Sequence, residues 1–266
     1  MKYEDIDFNE LYKKQKELTS FKPKGKEAWD EKAVSMNKRV HNSIYNEQFL
    51  ELLDLEGILS SLDIGCGVGN LSLKLADSLD EVFCLDYSSG MLEVLEQNAK
   101  EKNLTNIKTI NKSWYDSWED VPSADLVIAS RSMEVNDMKE ALLKLNEKAN
   151  KKVVISFKKG GTFVSDDILN VLEKDVIKKP DYIYVVNILY SLGINATVNF
   201  VQSEGRSTIY TSKEKFIESI KWSLGELSDN DIKALENYYE NIDLSSKQES
   251  EYVQWAVISW DKKENI

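Results

Sequence analysis

Between positions 62 and 70 the chain reads Leu62-Asp63-Ile64-Gly65-Cys66-Gly67-Val68-Gly69-Asn70. An apolar run carrying one acid stops in a glycine turn and passes toward a helix. Glycine lets the backbone approach a ligand where a Cβ would clash. The free amides of the following helix start suit a negative or strongly polar group. The chemistry of such a corner is binding of a nucleotide-type ligand. A dinucleotide fingerprint needs a third small residue three positions after the second glycine, but Asn70 stands there. No Gly-Lys-Ser or Gly-Lys-Thr follows, so the turn is not a P-loop. A second acid, Asp86, closes the next apolar run, 86 − 63 = 23 residues after Asp63. That spacing holds a strand, a helix and a parallel strand whose tip lies beside the first. Neither a G-x-S-x-G elbow nor a paired-cysteine motif is present, and His41 is the one histidine, so serine-hydrolase and zinc or iron chemistry are not expected.

The elements that must position these residues alternate. The pattern predicts strands at Ser61–Ile64, Glu81–Asp86, Ile107–Ile110, Asp125–Ser130 and Val153–Phe157. Leu71, Leu75 and Leu79 stripe the first intervening helix. Met91, Leu95 and Ala99 stripe the second, with Ser88 as its cap. Asn136 and Asp137 open a helix bearing Met138, Ala141, Leu142 and Leu145. Short apolar strands between amphipathic helices imply a parallel sheet covered on both faces. Ahead of it, residues 1–55 read as a helical cap segment, interrupted by Phe21-Lys22-Pro23-Lys24-Gly25. Behind it, helices are predicted at Ser165–Lys178, Pro180–Leu192, Ser212–Leu224 and Ser228–Asn241, and strands at Asn195–Val201 and Tyr252–Trp260. Residues 56–266 thus form one α/β domain with helical insertions at about 163–193 and 205–250.

The glycine motif, with Val82-Phe83-Cys84-Leu85-Asp86-Tyr87-Ser88 and Gly90-Met91-Leu92, resembles the class I S-adenosylmethionine-dependent methyltransferases, over roughly residues 58–158. The resemblance implies a Rossmann-like, seven-stranded, mostly parallel sheet with helices on both faces. The last two strands of that family, an antiparallel pair, are usually joined by a short turn; here residues 205–250 intervene. It implies S-adenosylmethionine as cofactor, with S-adenosylhomocysteine as product. Asp63 would meet the ammonium of the methionine part, Gly65, Gly67 and Gly69 would let the backbone close in, and Asp86 would take both ribose hydroxyls. Tyr87 and Met91 would flank the adenine. Where the family often has an acid and a small residue after strand three, this chain has Ser113-Trp114, a hydroxyl and an indole for the base. Ser130 would lie near the methionine part, and Arg131 and Trp29 toward the acceptor, although Trp29 also suits a core anchor. Methyl transfer is an in-line displacement that rests on alignment and water exclusion. Should a base be needed, His41 and Tyr45 are the candidates on the N-terminal helices.

Net charge is −12 and the pI is about 4.8, the opposite of a nucleic-acid-binding surface. No apolar stretch approaches a bilayer span, and the acidic N-terminus lacks a signal-peptide core. Cys66 and Cys84 make no disulfide framework. A cytoplasmic enzyme acting on a small-molecule methyl acceptor, without nucleic acid or membrane, is the expectation. No Asn-Pro-Pro-Tyr follows strand four, which lowers the amide- and base-methylating option. A protein- or tRNA-modifying methyltransferase, and a non-catalytic S-adenosylmethionine-binding protein, remain open. Six lysines against one acid between Lys13 and Lys26 form either a solvated edge or a lure for an anionic acceptor.

Overall fold

A computed structural model describes residues 2–205, 210–242 and 252–264. Seven strands are assigned among them: β1 (Ser60–Ile64), β2 (Glu81–Asp86), β3 (Ile107–Asn111), β4 (Ala124–Ser130), β5 (Ala149–Lys158), β6 (Thr197–Glu204) and β7 (Tyr252–Asp261). They form one sheet in the order β3-β2-β1-β4-β5-β7-β6, in which β7 runs antiparallel to both neighbours. Order reverses between β1 and β4, so a crevice opens beyond their carboxyl ends. The central strands are buried along most of their length because both faces are covered.

One face carries α1 (Phe8–Leu18), α6 (Met138–Lys148) and α8 (Tyr182–Ser191), whose Tyr12, Leu142, Leu145, Ile188 and Leu189 share a core. The other carries α3 (Ile44–Glu51), α4 (Ser72–Leu75) and α5 (Ser89–Glu101), through Tyr45, Phe49, Leu75, Leu92 and Leu95. Ser88 and Asp137 cap α5 and α6, accepting from Met91 N at 3.1 Å and Glu140 N at 3.0 Å. Residues 1–55 are therefore not one cap. Helices α1 and α3 belong to the two sheet faces, and α2 (Lys26–Val40) alone lies over the site, on Val68 and Met91. Likewise the 163–193 segment divides. Its second helix, α8, is apolar on most of its surface and is drawn onto the sheet.

The predicted helix Ser165–Lys178 ends early, as α7 (Asp166–Val171). Glu173 takes a left-handed φ of 49° and Lys174 N closes back on Leu169 O at 3.2 Å. The chain then extends because Ile177 O accepts from Ser20 N at 3.0 Å and from Thr19 Oγ1 at 2.9 Å. Those partners lie far upstream, where helical periodicity has no view of them.

Between β6 and β7 stand α9 (Lys213–Leu224) and α10 (Asp229–Asn241), each opened by a serine cap, Ser212 and Ser228. Residues 206–209 and 243–250 of the predicted 205–250 insertion lie outside the described residues. With α7 and Phe21, α9 and α10 build a separate small core around Phe216, Ile220 and Leu235. Trp222 on α9 meets Trp29 on α2 edge to face, 5.6 Å between ring centres. No helix among the described residues is long and apolar enough to cross a membrane.

Phe216 is fully buried in the smaller core. Phe216→Ala is expected to remove about 3–5 kcal/mol there. Hydrogen exchange should then rise across α7, α9 and α10 while β1, β4 and β5 keep their protection. Uniform loss across the sheet would show one undivided core.

Candidate cofactor and acceptor site

The three glycines of the 65–69 turn have three different surroundings. A Cβ on Gly65 would stand 2.4 Å from Ser132 Cβ, so that glycine is required by the protein's own packing. Ser132 is held there by its hydroxyl, which donates to Ile64 O at 2.5 Å. A Cβ on Gly69 would press on Leu73 and Leu95 at 3.0–3.2 Å. Gly67 has a left-handed φ of 56°, and a Cβ there would meet nothing within 4 Å. Its outward side is open space, the cradle that an incoming ligand would occupy.

Asp86 ties this turn to the next helix. Its Oδ2 accepts from Gly67 N at 2.9 Å and its Oδ1 from Ser88 N at 2.9 Å. Burial pushes its pKa upward despite those bonds. A carboxylate oxygen accepts more than one hydrogen bond, so both oxygens retain capacity for a pair of donors. Asp63 sits deeper. Burial raises its pKa to about 7, against the hydrogen bond from Ser72 Oγ at 2.5 Å, and nearby Asp86 adds to the rise. No basic side chain forms an ion pair with it among the described residues. A buried acid without a cation is a place for a cationic group from outside.

Around this corner, Tyr87 donates to Lys24 O at 3.2 Å, and burial pushes its phenol up to about 12. Met91 is buried with Ala33, Val68 and Val94, under α2. Trp114 donates through Nε1 to Ser132 O at 3.1 Å and stacks near Trp118 at 5.2 Å, packed against the sheet core. Ser113 is engaged in its own turn, its N donating to Asp116 Oδ2 at 2.6 Å and its Oγ accepting from Tyr115 N at 3.2 Å. Ser130 Oγ lies 2.7 Å from Tyr45 OH.

Both candidate bases are corrected by the structure. Tyr45 is fully buried, its hydroxyl donating to Ser156 Oγ at 2.5 Å and paired with Ser130. Burial raises its pKa, so it anchors the strand tips instead of drawing a proton from an acceptor. His41 lies at the far end of α2, eleven residues beyond Asp30. Its Nε2 is 2.6 Å from Asn37 Oδ1, and burial, Lys102 and Lys74 lower its pKa. Since α2 runs beside α5 with Asp30 at Gly90 and Asn37 at Asn98, His41 is carried toward the opposite edge of the sheet. Trp29, half-buried, contacts Trp222 at the lid. Lys13 pairs with Glu10 and Asp137, and Lys16 with Glu134, so the lysine run is partly neutralised.

Three contributors escape a reading by motif. Asp30 Oδ1 accepts from Ser88 Oγ at 2.6 Å and Gly90 N at 3.0 Å, fastening α2 to the start of α5. Its partners lie about sixty residues away, and only the bare Gly90, beside which Asp30 Cα sits 3.1 Å from a would-be Cβ, hints at the contact. Ser132 and Ser156 carry no signal beyond lying near strand ends.

A methyltransferase-domain family model matches residues 62–152, the stretch from β1 into β5. An uncharacterized protein of Haemophilus influenzae is 35% identical over 260 residues, 97% of each chain. A demethylmenaquinone methyltransferase of a Geobacillus species is 33% identical over 70 residues, 25% of this chain and 30% of its own. The crystal structure of a Geobacter sulfurreducens S-adenosylmethionine-dependent methyltransferase, in complex with S-adenosyl-L-homocysteine, superposes with a TM-score of 0.57 at 13% identity, covering 88% of this chain and 98% of that one. The chain belongs to the class I S-adenosylmethionine-dependent methyltransferases. It is an enzyme of the methyltransferase class and its cofactor is S-adenosylmethionine. The residues present fit that molecule: Gly67 offers open space, Asp86 a two-oxygen acceptor, and Asp63 an unpaired buried acid.

Two tests follow from this geometry. Unfolded, the Asp63 carboxyl titrates near 3.8; folded, near 7. Folding therefore takes up a proton between those values, and the stability tied to it is present below 3.8 and lost as pH rises through 7. Asp63→Asn should melt above the wild type at pH values beyond 7, with the advantage vanishing toward acid. Wild-type affinity for S-adenosylhomocysteine should rise through the same pH window, as the acid ionises to meet an ammonium. Scanning fluorimetry and calorimetry across pH check both.

Gly67→Ala should cost only the left-handed backbone, about 1–2 kcal/mol, yet lower S-adenosylhomocysteine affinity more than about tenfold. Gly65→Ala adds overpacking of about 1–3 kcal/mol against Ser132 and should melt well below Gly67→Ala. Equal melting temperatures would contradict the division of labour.

Proposed function

We propose that the enzyme transfers the methyl group to a small molecule held between the carboxyl edge of the sheet and a lid made by α2 and α9. The observation that carries this reading is the closure above Asp86. Helix α2 is pinned to α5 by Asp30, Tyr87 reaches Lys24 O, and Trp29 meets Trp222 of the cap. A lid assembled from both ends of the chain suits an enclosed acceptor more than a groove for a macromolecule. The net charge of −12 points away from a nucleic-acid acceptor. The name of the Geobacillus relative is consistent with a small acceptor, although its match covers only 25% of this chain.

Within this reading, Asp63 holds the ammonium end, the turn at Gly67 admits the backbone-proximal part, and Asp86 takes the ribose hydroxyls. Tyr87 and Met91 edge the adenine side, with Ser113 and Trp114 across from them and Ser130 toward the methionine end. When bound, S-adenosylmethionine supplies a methyl group on a positively charged sulfur, a good leaving group. The chain's contribution is alignment and exclusion of water, with no side chain required to move a proton.

Incubation with methyl-labelled cofactor and a small-metabolite extract should yield a labelled product below about 1 kDa, read by mass spectrometry. Label found only in protein or RNA fractions would give the acceptor role to a macromolecule. Tight S-adenosylhomocysteine binding with no labelled product of any size would mark a binding protein.

A further inference from the structure

Arg131 follows β4 directly, with a left-handed φ of 58° that a non-glycine residue rarely takes. The conformation is held by its own amide, which donates to Ser156 Oγ at 2.9 Å. Such strain persists where the surrounding structure enforces it and often marks a working position. Its effect is to swing the side chain onto the Tyr45 ring, with the guanidinium carbon 4.2 Å from the ring centre and 5.9 Å from that of Trp255. Tyr45 cannot yield, because its hydroxyl is fixed by Ser130 and Ser156. The guanidinium carbon thus rests over a ring that is held in place.

Among the described residues that cation has no ion-pair partner. Glu204 attracts it from farther off, but the Glu204 oxygens accept from Ser43 Oγ at 2.6 Å and Ile44 N at 2.8 Å. Arg131 is exposed to solvent, although the protein packed around it desolvates it and lowers its pKa. Direction matters as well. Trp255 lies on β7, two strands or about 10 Å beyond β4, on the side away from β1 and β2. The guanidinium therefore points away from the Asp63–Asp86 corner. Beyond Trp255, itself buried, stands Phe163, 5.7 Å between ring centres and 39% exposed, so the apolar surface open past the cation is that of Phe163.

We propose that Arg131 is the anchor for the methyl acceptor, and that the acceptor is a small carboxylate with an apolar body laid along Phe163, beyond the buried Trp255. A planar guanidinium presents paired N–H donors that match the two oxygens of a carboxylate. The inference rests on the small-molecule reading above and narrows it to an acid. Lys159 lines a separate recess beyond Phe163 and adds positive charge to this end of the sheet.

The test uses the full chain and the variants R131Q and R131K. A bacterial small-metabolite extract is divided on an anion-exchange resin at neutral pH, and each half is incubated with methyl-labelled cofactor. Methyl acceptance is expected in the retained half and should survive phosphatase treatment. For that acceptor, R131Q should raise KM at least about tenfold, the loss of one charge-paired anchor, and R131K should recover part of it. Calorimetry should find S-adenosylhomocysteine affinity in R131Q within about twofold of wild type. Acceptance confined to the unretained half, or removed by phosphatase, overturns the carboxylate. An unchanged KM in R131Q removes Arg131 from the acceptor. An R131Q chain that binds S-adenosylhomocysteine at least about tenfold more weakly gives the residue to the cofactor instead. A chain that binds S-adenosylhomocysteine normally yet methylates nothing in either half loses the small-molecule reading itself, and this inference falls with it.

Discussion

The carboxylate of Asp86 is the tie on which the site depends. One oxygen takes the amide of Gly67 and the other the amide of Ser88, so a single buried acid fixes the glycine turn against the start of α5. Two loops that follow different strands are thereby held at one spacing. Burial makes the charge costly, and the backbone donors offset only part of that cost, which is why the pKa still rises. Asp63 extends the same economy inward, with one serine donor and no basic partner among the described residues. The corner is thus an electrostatically incomplete structure, and a ligand with hydroxyl donors and an ammonium completes it.

Everything beyond this tie is built to cover it. Helix α2 has little apolar surface of its own, and it stays in place through Ala33 on Val68 and Met91 and through the Asp30 bonds to Ser88 and Gly90. The cap is a second, smaller core, continued to α2 by the Trp29–Trp222 contact. At the other side, Glu134 lies between Lys16 and Lys179 at 3.0 and 2.6 Å. Burial works against its charge, but the two lysines prevail and hold it below the ordinary range. That cluster joins α1 and the segment before α8 to the loop after β4, and so steadies the loop that carries Arg131 and Ser132.

Sequence alone determined the sheet. Its central strands are short and apolar, their helices carry one apolar stripe each, and these periods follow from backbone geometry whatever the neighbours are. It also determined the corner, because a turn needing positive φ and open space admits glycine, and a strand tip meeting paired donors admits an acid; Gly67 and Asp86 lie as local pattern requires. The serine caps at 88, 212 and 228 belong to the same class of local signal. What tertiary structure decided is whatever joins distant segments. It shortened the helix after β5 by pairing Ile177 with Ser20, sent α1, α3 and α8 to the sheet faces, and left α2 as the lid. It set Gly65 against Ser132, buried Tyr45 between Ser130 and Ser156, carried His41 to the far end of α2, and turned Arg131 onto Tyr45. The physical reason is range. Propensity and periodicity act over a turn or two of chain, whereas a hydrogen bond or a ring contact between residues scores of positions apart exists only after the sheet has brought them together.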